Sequence, residues 1–82
     1  MNLRQIYGLE LKKYVLSEAP TEKIGEWAFS FYWKNIESID LSFRNLLLTL
    51  NKMELGPEFA YNYEELLQIA NDLIDGKDVT LD

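Results

Sequence analysis

Glu64 with Glu65, and Asp72 with Asp75, are the carboxylate pairs in this chain that could divide the work of a general acid and a general base. The spacing argues against it. Adjacent residues on a helix point in different directions, no stretch suggests an apolar cleft that would raise one pKa, and acids at a helix start are expected because the helix dipole favours them there. Histidine and cysteine are both absent. Their absence removes the side chain best suited to proton transfer near neutral pH, thiolate nucleophiles, disulfides and the usual zinc ligands. The expectation is a protein with no catalytic residue, no metal and no cofactor.

Two further patterns bear on ligand chemistry. In "NDLIDGKDVTLD", Asn71, Asp75, Gly76 and Asp82 fall at positions one, five, six and twelve of a calcium loop. Leu73 occupies the third ligand position, Asp78 stands where an apolar residue belongs, and the bidentate glutamate is missing, so calcium is not expected. In "ESIDLSFRNLLLTL", Ser42 follows an acid at a helix start. That placement, with the acidic last helix "YEELLQIANDLIDG", resembles acyl and peptidyl carrier proteins, which would imply a prosthetic arm on Ser42. In that family the acid stands immediately before the serine, whereas here Leu41 separates Asp40 from Ser42. An ordinary first-turn serine is the simpler reading.

The elements that position these residues read as all-α. A chain of 82 residues makes one domain with one modest core, and 48% hydrophobic residues is too many for a disordered chain. Apolar residues at helical spacing predict helices over about 3–17, 22–34, 39–54 and 63–75, joined by short loops, with a loose tail over 77–82. The first carries Leu3, Tyr7, Leu11, Tyr14 and Val15, with Gly8 as a weak point, and stops before Pro20. Thr21 is expected to cap the second, whose stripe is Ile24, Trp27, Ala28 and Phe31. Asp40 or Ser38 caps the third, with Phe43, Leu46, Leu47, Leu50 and Met53 on its core side. Gly56 is expected to supply a left-handed cap, and Pro57 forbids continuation. Asn62 and Glu65 form a capping-box pattern for the fourth helix, whose inner face reads Tyr63, Leu66, Leu67, Ala70, Leu73 and Ile74, and Gly76 ends it. The expected fold is a compact four-helix bundle in up-and-down style.

Surface character supplies the remaining signal. The net charge is −6 and unevenly spread: residues 1–53 hold seven basic and six acidic side chains, while residues 54–82 hold eight acids against Lys77 alone. So acidic a final third disfavours nucleic acid and suits either simple solubility or a basic protein partner. Five aromatic residues lie between Trp27 and Trp33, more than one stripe can hide, so some of Phe29, Tyr32 and Trp33 are expected near the rim. "GPEFAYNYEE" sets Tyr61 outside the regular stripe beside Glu58, Glu64 and Glu65. A ring that supplies buried area, flanked by charges that speed association, is the composition of an anchor for a basic partner.

The size, the acidity and the runs "PTEKIGEWAFSFYWKN", "LLLTLNKMEL" and "FAYNYEELLQIANDL" resemble small helical bacterial immunity proteins. Those that guard against nuclease colicins have a tyrosine pair followed by acids, to which Tyr61 and Tyr63 with Glu64 and Glu65 are similar. In that family the tyrosines are adjacent, on a short helix before the last one; here Asn62 separates them. The resemblance implies stoichiometric inhibition of a basic toxin domain, for which a nuclease is the class that best explains the acidity. The partner-binding residues expected on these grounds are Glu58, Tyr61, Glu64, Glu65, Asp72 and Asp75. A generic helical adaptor is the other non-enzymatic reading. "MNLRQIYGLELKK" lacks the pattern of a secretion signal and "LLLTL" is too short to span a bilayer, so a cytoplasmic location with no membrane partner is expected.

Overall fold

The computed structural model describes residues 1–81; Asp82 lies outside the described residues. Four α-helices follow in order: α1 (Leu3–Leu16), α2 (Thr21–Lys34), α3 (Leu41–Asn51) and α4 (Tyr63–Ile74). Short 3-10 turns at Ile36–Ser38, Lys52–Leu55 and Pro57–Phe59 bridge them. The chain is an all-α four-helix bundle with no strand among the described residues. The main packing partners are α1 with α4 and α2 with α3, and α2 also meets the Lys52–Leu55 turn.

Each helix pair closes around a glycine. A methyl group on Gly8 would stand 2.9 Å from the Ala70 carbonyl oxygen and 2.9 Å from Leu73 Cβ, both on α4. On Gly25 it would meet the Glu54 nitrogen at 3.0 Å and the carbonyls of Asn51 and Leu50 at 3.2 Å. Gly8, expected to weaken α1, is therefore what lets α1 and α4 approach backbone to backbone. Its helix-propensity cost of up to ~1 kcal/mol is offset by that contact.

The third-helix stripe lies in the core as expected: Phe43, Leu46, Leu47, Leu50 and Met53 are all buried. The second helix buries Ile24, Ala28 and Phe31, with Trp27 half-buried. Trp27 stacks on Tyr7 with centroids 4.3 Å apart and planes within 5°, and Phe31 and Phe43 meet Tyr7 edge-on at 5.0 and 5.9 Å. The Tyr7 hydroxyl is enclosed without a hydrogen-bond partner among the described residues. Burial drives its pKa far up, since the phenolate would have no water.

Several boundaries differ from the sequence reading for local reasons. Pro20, not Thr21, occupies the N-cap of α2: the Lys23 and Ile24 amides bond the Pro20 carbonyl, so Thr21 is already helical and makes no cap bond. Asp40 caps α3 by accepting from the Phe43 amide. α3 ends at Asn51, earlier than expected, and tightens into a 3-10 turn. Gly56 then takes φ 156° and ψ 167°, an extended conformation almost exclusive to glycine, instead of the left-handed cap. The left-handed residue at the other end of the next helix is Gly76, at φ 80°. The Gly76 amide bonds the Leu73 carbonyl and the Lys77 amide bonds that of Asp72, which closes α4 in a Schellman turn.

The loose tail is also corrected. Val79 and Leu81 pack against the core. Asp78 accepts from the Ser42 hydroxyl at 2.6 Å and from the Arg4 guanidinium at 3.4 Å. Arg4 donates in turn to Asp40 at 2.8 Å and lies 5.3 Å from the Phe43 ring centroid. Its hydrogen bond holds the Asp40 carboxyl below the usual carboxylate range.

Candidate functional site

The stretch from Gly56 to Glu65 is built by its end residues. Gly56 turns the chain, Pro57 opens a 3-10 turn, and Asn62 and Glu65 make a full capping box. The Glu65 amide donates to the Asn62 side chain at 2.8 Å, and the Asn62 amide donates to the Glu65 carboxylate at 3.0 Å. This arrangement fixes the start of α4 and leaves Glu58, Glu64 and Glu65 exposed. Among the described residues, none of those three carboxylates, nor that of Asp75, is in an ion pair.

The rings are distributed differently from the expectation. Tyr61, expected outside the regular packing, is half-buried against the core and lines a recess of ≈ 330 Å³ with Thr49, Lys52, Glu58, Phe59 and Leu81. Tyr63, expected on the inner face, is 37% exposed. At the first position of α4 its ring overhangs the end of the core and reaches the turn between α1 and α2, where its hydroxyl donates to the Ala19 carbonyl at 2.8 Å. Ile69, absent from the expected inner face, is buried with Leu66, Ala70 and Leu73, whereas Leu67 and Ile74 are only half-buried. The most exposed ring of the stretch is Phe59, at 44%.

Along α4 the acids fall into two groups. Glu64 and Asp75 are eleven residues apart, which returns them to the same side of the helix about 16 Å from each other. That side lies opposite the stripe of Leu66, Ile69 and Leu73. Asp72 is not free: it accepts from Gln68 Nε2 at 2.9 Å and pairs with Lys77 at 3.6 Å. The structure thus brings Glu58, Tyr61, Glu64 and Glu65 to one end of α4 and places Asp72 and Asp75 at the other.

No group of three or more acids among the described residues is close enough to hold a metal ion. Ser42, the residue a carrier protein would modify, has its hydroxyl engaged by Asp78. No described helix is long and apolar enough to cross a membrane. A second exposed group, Phe29 and Trp33 on α2, meets edge-on at 6.0 Å, with Trp33 57% exposed. No family model, curated protein or solved structure matches this chain.

Proposed function

We propose that this chain is a non-enzymatic protein of the immunity type, which binds a basic toxin domain in the bacterial cytoplasm and neutralises it by occupying its surface. One observation carries the reading: Glu58, Glu64 and Glu65 are exposed and without ion pairs among the described residues, and Glu58 lines a recess with Phe59, Tyr61 and Lys52. Aromatic area flanked by unpaired carboxylates that outnumber the single lysine of the recess, Lys52, suits fast, salt-sensitive association with a basic surface. A nuclease domain is the toxin class with the chemistry to match, because a surface that holds phosphates also attracts carboxylates.

Phe59 and Tyr61 supply the apolar contact, Glu58, Glu64 and Glu65 steer the encounter, and Asp75 extends the acidic side of α4. Asp72 contributes less, since its charge is already shared with Lys77. Titration of the purified chain against the product of the adjacent reading frame tests the reading. The expected result is a one-to-one complex that suppresses that protein's activity; a neighbour with no affinity for this chain, or one that belongs to a metabolic pathway, contradicts it.

A further inference from the structure

The last described residues are attached in an unusual way for part of a core. After the Lys77 amide bonds the Asp72 carbonyl, residues 78–81 make no backbone-to-backbone hydrogen bond among the described residues. They are held by side chains alone: Asp78 on Ser42 and Arg4, and half-buried Val79 and Leu81 on the core. Asp78 is 61% exposed, so water competes for both of its polar contacts.

Beneath this segment lies the outer side of α3, and space remains open on both sides of it. One recess is lined by Ser42, Asn45, Leu46, Thr80 and Leu81. The other is the Tyr61 and Phe59 recess, in which Leu81 also takes part. Leu81 therefore lines both recesses, which flank it along α3.

We propose that residues 78–81 form a displaceable strap, seated in a groove on α3 that is built to take an extended peptide segment. Asp78 is the polar latch and Leu81 the apolar plug. When the strap lifts, the groove runs from Ser42 to Tyr61 and can accept an acidic-then-apolar segment of another protein in its place. The lack of backbone bonds and the exposure of its polar contacts put this segment at the low-stability end of the molecule, where binding segments are found. The inference does not rest on the toxin assignment, because the groove and its occupant belong to the same chain.

The test uses the full chain and a variant ending at Lys77. A fluorescent peptide of residues 75–81 should bind the shortened chain, and bind the full chain at least tenfold more weakly because the resident strap competes at high effective concentration. In the full chain, a lysine-specific protease should cut after Lys77 at least tenfold faster than at the helical lysines, and Asp78→Ala should raise that rate severalfold further. Failure of the peptide to bind a folded shortened chain overturns the proposal. If the shortened chain does not fold, the protease decides: cleavage at Lys77 no faster than at Lys12 or Lys34, or unchanged by Asp78→Ala, shows that the tail is a fixed part of the core.

Discussion

Both ends of α4 are acidic, and they use their carboxylates differently. At the C-terminal end, Asp72 is paired with Lys77 and Gln68, Gly76 closes the helix, and Asp78 ties the following segment to Ser42 and Arg4. Most of those carboxylates hold the fold together. At the N-terminal end only Glu65 does so, through the capping box, while Glu58 and Glu64 have no ion-pair partner among the described residues. A count of acids in the last third of the chain treats both ends alike. Their partners separate structural charge from charge left available for another molecule.

The largest way to break this comparison is to disturb the close α1–α4 contact on which α4 rests. Gly8→Val would force the new side chain into the Ala70 carbonyl and Leu73, so a loss toward the upper part of the ~1–3 kcal/mol range for overpacking is expected by chemical denaturation. Both ends should then fail together. Asn62→Ala removes the cap at one end only, at a cost of about 1 kcal/mol.

Acid should act on the tied region first. The Asp40 carboxyl has its folded pKa lowered, so its contribution is present above the unfolded value near ~4 and is lost as pH falls through the lower folded value. Stability measured from pH 5 to pH 2 should decline less steeply in Asp40→Asn, and salt should shrink the difference. The smallest effects should differ in sign. Glu64→Gln at the start of α4 should cost a few tenths of a kcal/mol, and Asp75→Asn at its end should gain a similar amount, because the helix dipole favours a negative charge at one end and opposes it at the other. Equal effects in the two variants would remove the distinction between the ends.

The helices themselves were legible because their signals are local. The α3 stripe repeats at helical spacing without interruption, and all five of its residues are buried. The caps at Asp40 and Asn62 follow from single side chains reaching nearby amides. Asn2 with Gln5 makes the same capping box at the start of α1, and the pattern was there to be read. The placement of rings was not legible, because it depends on where one helix ends relative to another. Tyr63 fits the inner stripe by spacing yet lies where α4 projects past the core, so it bonds the α1–α2 turn instead. Gly8 reads as a defect until α4 is seen 2.9 Å from its missing side chain. The tail reads as loose because its contacts, from Asp78 to Ser42 and Arg4, are far apart in sequence. For the same reason composition suggests a candidate surface but does not show how its acids divide between the two ends.

The most direct measurement compares the affinity of a basic toxin partner for two charge variants across a range of salt concentrations. The account predicts that Glu58→Lys with Glu64→Lys weakens binding at least a hundredfold and flattens its salt dependence, while Asp72→Asn with Asp75→Asn changes it less than tenfold, both proteins remaining folded. Equal losses from the two pairs, or a full-strength complex with the first, would contradict the claim that the N-terminal end of α4 is the binding surface.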